Sequence, residues 1–188
     1  MIGKSRFVNY YNSWQEDKAA LLGRMERLIS ENREYADKKN YGHLCNLITS
    51  LAMVMILEEK GHAREEAVRR VADAMYEFIK PQIASMNRLA SHGWFVPFLK
   101  AAMPVKFKNT LGHGWAVDFP KCGKNEFSMV THQCIYQQLF SKYNMPEMTA
   151  VFCKVDDILY GKLPRAEFLY TQQIGTGGSM CDYTFKKR

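Results

Sequence analysis

Three segments in the last third of the sequence place a cysteine beside polar residues that could do chemistry. They are residues 131–134, residues 153–156, and a glycine-rich stretch that leads to Cys181. A thiolate is a strong nucleophile, and a nearby carboxylate such as Asp156 can move a proton or orient a substrate. These segments predict a thiol and carboxylate site if the fold gathers them.

The first segment predicts the start of a helix. Thr131 is a good N-cap residue, and Val130 and Ile135 stand where a hydrophobic staple would place them. Cys134 would then lie in the first helical turn, where unpaired amides and the helix dipole favour a thiolate or a bound anion. His132 could add a substrate-binding group. The alternative is a half-buried Cys134 that packs beside Ile135.

The second segment follows an apolar run, residues 149–152, which we predict to be a strand. Cys153 and Asp156, three residues apart at a strand end, can converge on one ligand or metal. Asp156 could serve as a general base or a hydrogen-bond acceptor. The alternative is that Asp156 or Asp157 caps a helical turn while Cys153 faces the core.

The third segment combines a flexible turn with a strand. Gly177 and Gly178 can bring backbone amides close to a developing negative charge. Strand alternation then places Cys181 and Tyr183 on one face and Asp182 on the other, so we expect Cys181 to point inward. That position suits a buried reactive thiol and equally an inert core thiol.

Cysteine and histidine spacing provides no metal signature. The five cysteines form no C-x-x-C pair, and the five histidines form no H-x-x-x-H or H-E-x-x-H pattern. We therefore predict free thiols and expect no metal and no cofactor. A mixed metal site would form only if the fold gathered these residues: His132, Cys134, Cys153, Asp156 and Cys181.

Positive charge is concentrated in the middle of the chain. Lys and Arg number 26 against 19 Asp and Glu, a net charge of +7, and residues 78–117 contain no acidic side chain. Basic and aromatic residues alternate there, which can indicate nucleic-acid binding. No helix-turn-helix, zinc-finger or RNA-binding signature accompanies them. We therefore expect a solvated basic face or an anionic small molecule as partner rather than nucleic acid.

The sequence also predicts a cytoplasmic protein. The longest apolar run, residues 47–57, is shorter than the roughly 20 residues of a membrane helix and contains Thr49 and Ser50. The N-terminus lacks the hydrophobic core of a signal peptide. We expect no membrane partner, and the sequence leaves a homo-oligomer open.

The first half of the chain predicts helices. Their segments, in order, are residues 14–35, 44–55, 67–89 and a shorter apolar stretch, 95–103. Gly61 stands where a C-terminal glycine cap belongs. We expect the third helix to run past Pro81 and the helix over residues 95–103 to end before Pro104.

The second half predicts short strands around one helix, residues 134–143. The strand segments are residues 112–119, 126–131, 149–153, 166–174 and 181–185. We therefore predict an α+β fold, in which a helical N-terminal half packs on a small, mostly antiparallel sheet with one short helix. We expect a single domain over residues 1–188, mainly helical over 1–110, with the sheet and its helix over 111–188.

Taken in this order, the three thiol segments resemble the family of L-2-amino-thiazoline-4-carboxylic acid hydrolases. Residues 61–67 in the helical half resemble that family less specifically, so the similarity spans residues 43–187. Members of the family commonly carry a basic residue before the Thr of the penultimate strand. Here Tyr170 precedes Thr171, and this departure bears on how a substrate carboxylate would be held.

The resemblance implies a hydrolase that opens a small carboxylate-bearing ring, at a C–N or C–S bond, to a carbamoyl-cysteine product. Cys181 would attack the ring carbon with Asp156 as proton shuttle, and Cys134 is the rival nucleophile. Alternatively, a carboxylate would activate water directly.

The remaining members of this predicted site are Cys153 in the catalytic group, with His132, Gly177, Gly178 and Asp182 contacting substrate. The substrate carboxylate would lie at the helix start near Cys134 or against the basic region of residues 78–117. A second function is consistent with the same residues, namely a non-catalytic domain that binds or senses a small molecule.

Overall fold

The computed structural model describes residues 2–14 and 16–188. The chain divides into two compact units, Met1–Ile79 and Lys80–Arg188. The expectation of a single domain stays a prediction. Helices and a small antiparallel sheet make up the described residues, which confirms the predicted α+β class.

The described residues of the first unit form helices and the short connections between them. Its helices are α1 (Val8–Ser13), α2 (Lys18–Glu31), α3 (Tyr41–Glu59) and the first part of α4 (Arg64–Ala90). Asp17 caps α2, because its carboxylate accepts hydrogen bonds from the backbone N–H groups of Ala19 and Ala20 at 2.8 and 3.1 Å.

Helix α3 is buried on nearly every side. Its two hydroxyl side chains bond within the helix, Thr49 to the Cys45 carbonyl at 2.6 Å and Ser50 to the Leu47 carbonyl at 2.9 Å. By length and mean hydropathy α3 could cross a membrane, which the run of residues 47–57 alone did not suggest. In the structure 72% of its most apolar window is buried inside the protein, as in the core helix of a globular unit.

Three predictions concern a glycine or proline at or near a helix end. Gly61 has a φ of 90° and its N–H donates to the Glu58 carbonyl at 2.9 Å, which confirms the glycine cap. Helix α4 continues through Pro81, as predicted. The predicted end before Pro104 is wrong, because α5 (Phe95–Thr110) also runs through its proline and gains almost two further turns.

The second unit contains the sheet. Its strands are β1 (Ala116–Asp118), β2 (Glu126–Gln133), β3 (Ala166–Leu169) and β4 (Cys181–Lys187), all antiparallel, in the order β1-β2-β4-β3. Thr131 pairs with Cys181, and Val130 pairs with Asp182. Thr131 is therefore a buried strand residue and not the predicted helix cap.

Two helices, not one, follow β2 in the second unit. They are α6 (Ile135–Lys142) and α7 (Glu147–Tyr160). The strand predicted over residues 149–153 is wrong, since these residues lie inside α7. Met148, Phe152 and Val155 repeat at helical spacing and are buried, so the short apolar run was one part of a helical stripe.

Aromatic side chains form much of the second unit's core. The Phe185 ring lies 5.0 Å from that of Phe168 and 5.2 Å from that of Tyr160, measured between centroids. This packing fixes β4 from its buried face, where the alternation of Cys181, Tyr183 and Phe185 is as predicted.

Candidate active site around Cys153 and Cys181

Helix α7 presents Cys153 and Asp156 toward a tight turn. Because the two residues are three apart on a helix, they share one face. That face lies against a 3-10 turn, Ile174–Thr176, in the connection from β3 to β4. A Cβ atom on Gly175 would lie only 2.7 Å from Cys153 Sγ and 2.8 Å from the Ala150 nitrogen. The close approach of turn and helix therefore requires glycine.

The same turn holds Cys181 at the start of β4. The Ile174 N–H donates a hydrogen bond to Cys181 Sγ at 3.3 Å, and Cys181 is only 6% exposed. The Cys153 thiol hydrogen-bonds to the Cys181 sulfur. The fold thus joins two thiols that stand 28 positions apart in the sequence.

The two sulfur atoms have opposite electrostatic roles. The hydrogen bond from Cys153 lowers the pKa of Cys181 to about 7 against the opposing effect of burial, and the Ile174 amide and Tyr183 hydroxyl contribute further. The same hydrogen bond, together with burial, raises the pKa of Cys153. Near neutral pH Cys181 therefore carries the thiolate and Cys153 keeps its proton.

Tyr183 connects this pair to a carboxylate. Its hydroxyl donates to Asp156 Oδ2 at 3.2 Å and accepts from Gln173 Nε2 at 3.1 Å. Burial, followed by the charge of Asp156, raises the Tyr183 pKa, so the phenol stays protonated. Cys181, Cys153, Asp156 and Tyr183 form what we call the thiol cluster.

Cys134 lies close to the thiol cluster but is not in a helical turn. It occupies the N-cap of α6 in an extended conformation, one residue before the first helical residue, which corrects the predicted position. Burial raises its pKa to about 11, and the backbone N–H groups of Tyr136 and Gln137 offset only part of that rise. Cys134 is thus a poorer source of thiolate than Cys181.

Two predicted substrate-binding residues lie on the opposite face of the sheet. His132 follows the buried Thr131 in β2, and its Nε2 lies 3.2 Å from Asp118 Oδ2 at the exposed edge. Asp182 accepts hydrogen bonds from the Thr171 and Gln172 backbone N–H groups, both at 2.9 Å. It anchors the loop after β3, and its role in binding substrate stays a prediction.

The backbone N–H groups of Gly177 and Gly178 form hydrogen bonds within the glycine-rich turn. The Gly177 N–H donates to the Ile174 carbonyl at 3.2 Å, and the Gly178 N–H donates to the Gln173 carbonyl at 2.9 Å. Gly177 has a φ of 95°, which explains the glycine there. These hydrogen bonds shape the turn, so the amides that face the sulfur atoms are those of Ile174 and Gly175 instead.

Tyr170 and Lys154 stand beside the thiol cluster. The Tyr170 hydroxyl donates to Asp157 Oδ1 at 2.9 Å. Lys154 Nζ lies 3.7 Å from Asp157 Oδ2. Lys154 and Tyr170 thus share the Asp157 carboxylate. The sequence did not predict a role for Lys154, Gln173 or Gly175. A helix predicted over residues 147–160 would have placed Lys154 and Asp157 on one face.

No metal group coincides with the thiol cluster in the part of the chain that the structure describes. Within residues 2–14 and 16–188, no three His, Cys, Asp or Glu side chains are placed to hold a metal ion. An open groove of about 270 Å³ lies elsewhere in the second unit. It is lined by these residues of α5, β1 and their connections: Pro104, Phe107, Lys108, Leu111, Trp115, Val117 and Phe119.

The fold and the thiol cluster define an α+β protein with a paired-thiol site. The sequence profile of L-2-amino-thiazoline-4-carboxylic acid hydrolases matches residues 45–185. The chain belongs to this family, which confirms the resemblance. No curated protein matches the chain.

Among solved structures, the chain is similar to H-NOX proteins at low identity. An Fe(II) unliganded mutant from K. algicida is 9% identical, with 97% of this chain and 95% of that chain covered and a TM-score of 0.31. An H-NOX protein from S. oneidensis in the Fe(II)NO state is 8% identical, with 89% of each chain covered and a TM-score of 0.31. Scores of this size do not establish a shared fold.

Proposed function

We propose that the protein hydrolyses a small, carboxylate-bearing heterocycle of the 2-amino-thiazoline-4-carboxylate kind to a carbamoyl-cysteine product. The observation that carries this proposal is the setting of Cys181 Sγ, which accepts hydrogen bonds from the Ile174 N–H and the Cys153 thiol and lies beside Tyr183, whose hydroxyl bonds the Asp156 carboxylate. These donors lower the pKa of Cys181 to about 7. Membership of the family supports a hydrolase.

In the first step, the Cys181 thiolate attacks the ring carbon that lies between sulfur and nitrogen. The carbon–sulfur bond of the ring breaks, and the departing sulfur takes the proton that Cys153 holds. The product of this step is an amidino group carried on Cys181. The positions of Cys153 and Cys181 on either side of the turn suit this exchange.

In the second step, water attacks the same carbon and expels Cys181 as thiolate. One proton of the water returns to Cys153, and Asp156 passes the other to the imine nitrogen, which becomes the amino group of the carbamoyl product while the oxygen becomes its carbonyl. Lys154, beside Asp157, would hold the substrate carboxylate in place of the basic residue that Tyr170 replaces. The alternative is direct activation of water by Asp156.

The test is a product assay with purified protein and L-2-amino-thiazoline-4-carboxylate, in which carbamoyl-cysteine is followed by mass spectrometry with and without a chelator. We expect chelator-insensitive product that falls by at least about 100-fold in Cys181→Ala. The matched control is Cys122→Ala, because that partly buried thiol donates to the Glu126 carbonyl outside the thiol cluster. Full turnover by Cys181→Ala would exclude it as nucleophile and leave the Asp156 route.

A second candidate is a domain that binds such a molecule without turnover. Tyr170 favours it, because a neutral phenol stands where the family pattern supplies a cation, and that phenol is already bonded to Asp157. Saturable binding by calorimetry, with no product from folded protein, would support this candidate. Product formation would exclude it.

A further inference from the structure

Cys153 and Cys181 form a pair whose geometry allows more than nucleophilic attack. The two sulfur atoms lie against adjacent residues of the 3-10 turn, Cys181 at the Ile174 N–H, 3.3 Å away, and Cys153 at Gly175. A hydrogen bond already joins the two thiols, so no other residue stands between them. Conversion to a disulfide would bring the two sulfur atoms from hydrogen-bonding contact to a separation of about 2.05 Å.

We propose that Cys153 and Cys181 form a reversible disulfide when the protein meets a hydroperoxide, and that this bond is a redox modification site. The inhibition that would follow, through loss of the nucleophile, rests on the proposed function. The bond itself does not.

The chemistry balances in two steps. The Cys181 thiolate attacks the outer oxygen of the hydroperoxide and the O–O bond breaks. The departing alkoxide (or hydroxide, from hydrogen peroxide) takes a proton from solvent and leaves as an alcohol (or water), so the sulfur becomes a sulfenic acid. The Cys153 sulfur then attacks Cys181, the S–O bond breaks, and water leaves with the proton of Cys153. Two thiols are oxidised and one peroxide is reduced.

The other three cysteines lack the combination of a stabilised thiolate and an adjoining second thiol. Cys45 lies in the other unit, where burial raises its pKa. Cys122 donates its proton to the Glu126 carbonyl at 3.0 Å. Cys134 is near the thiol cluster, but burial keeps its pKa at about 11. Only Cys181 has a stabilised thiolate beside a second thiol, so we expect oxidation to be selective.

The experiment treats the full-length protein with one equivalent of hydrogen peroxide, blocks remaining thiols with N-ethylmaleimide, and measures the intact mass and the peptide map. We expect a loss of about 2 Da, two fewer adducts than in the untreated protein, and a linked peptide pair containing Cys153 and Cys181. Dithiothreitol should restore all adducts. A linkage involving another cysteine, or sulfinic acid at Cys181 with Cys153 still reduced, would overturn the proposal.

Two variants sharpen the result. Cys153→Ser should stop at the sulfenic acid, which dimedone traps at Cys181, and continue to the sulfinic acid with excess peroxide. Cys122→Ser should form the disulfide as the natural chain does. If Cys153→Ser fails to fold, the peptide map of the natural chain still decides. Since the mass change needs no substrate, a disulfide without turnover removes only the proposed function, and turnover without a disulfide removes only this inference.

Discussion

Two chemically identical side chains have opposite properties in the thiol cluster because of one hydrogen bond. Cys153 donates it and keeps its proton, while Cys181 accepts it and gains a further donor in the Ile174 N–H. A helix residue with a partly exposed sulfur and a strand residue that is 6% exposed thus become a proton donor and a nucleophile. Neither role is visible in the residue type.

The first prediction concerns the pH dependence of Cys181. Because its pKa is lowered to about 7, its alkylation by iodoacetamide should accelerate as the pH rises through 7, where the thiolate fraction grows. Cys153→Ala removes the donor, so the midpoint should move upward, whereas Cys153→Ser retains a donating hydroxyl and should move it less. The measurement is the alkylation rate at Cys181 by peptide mapping. Equal midpoints in all three proteins would show that Cys153 does not set the pKa.

The second prediction compares two tyrosines beside the site. Tyr183 is 7% exposed and its hydroxyl joins Gln173 to Asp156, whereas Tyr170 is 41% exposed. Tyr183→Phe should lower the free energy of unfolding by about 1–2 kcal/mol and slow any turnover, because two buried hydrogen bonds are lost. Tyr170→Phe is the control and should change stability by less than about 0.5 kcal/mol. Urea unfolding measures the stability of both variants. Equal losses of unfolding free energy would show that burial of the Tyr183 hydroxyl is not the cause.

At the scale of elements, helix α7 and the turn Ile174–Thr176 build the site by close approach. The turn is held to β4 by Asp182, through the Thr171 and Gln172 amides, and to α7 by the absence of a side chain at Gly175. The spacing between helix and turn therefore sets the position of both sulfur atoms.

The third prediction tests that approach. In Gly175→Ala the new methyl group would meet Cys153 Sγ at 2.7 Å and the α7 backbone at 2.8 Å, so helix and turn must separate. We expect a loss of about 1–3 kcal/mol in unfolding free energy and a higher pKa at Cys181. Gly23→Ala is the matched control: its Cβ meets nothing within 4 Å in α2, so it should stabilise by up to about 1 kcal/mol. A tolerated Gly175→Ala, with unchanged alkylation, would show that the approach is not required.

The fold was predictable where its causes are local. The inward and outward alternation along residues 181–185 and the glycine cap after α3 each depend on a few neighbouring residues. Both predictions are confirmed. Residues 149–153 were predicted wrongly because a short apolar run fits a strand as well as a helix. The pairing of Cys153 with Cys181 depends on a turn between distant segments, so no local pattern reveals it.

At the scale of the whole molecule, the net charge of +7 stays the main guide to partners. Within residues 78–117, Lys100 is already engaged, since its Nζ donates to the Cys122 and Gly123 carbonyls at 2.8 and 2.9 Å. That lysine therefore fixes the loop before β2 and is a poor candidate for contacting phosphates.

The fourth prediction follows from this charge distribution. We expect duplex DNA to bind only in the non-specific manner of a basic protein, with Kd weaker than about 1 µM at physiological salt and steeply weaker as salt rises. Fluorescence anisotropy at three salt concentrations, with two unrelated sequences, measures it. Sub-micromolar binding of one sequence that persists at high salt would restore nucleic acid as the partner.

Helix α3 has a consequence for how the chain is made. Its length and mean hydropathy match those of a membrane-spanning helix, yet its hydrogen-bonded and ionic partners include Arg6, whose backbone N–H donates to Asn46, and Arg24, which pairs with Glu59. Both are synthesised before α3, so the covering residues have already left the ribosome when the apolar segment emerges. The order of synthesis thus hides the segment early. A circular permutant that began at Tyr41 would expose it first, and its newly made chains would compete for membrane insertion and for chaperones.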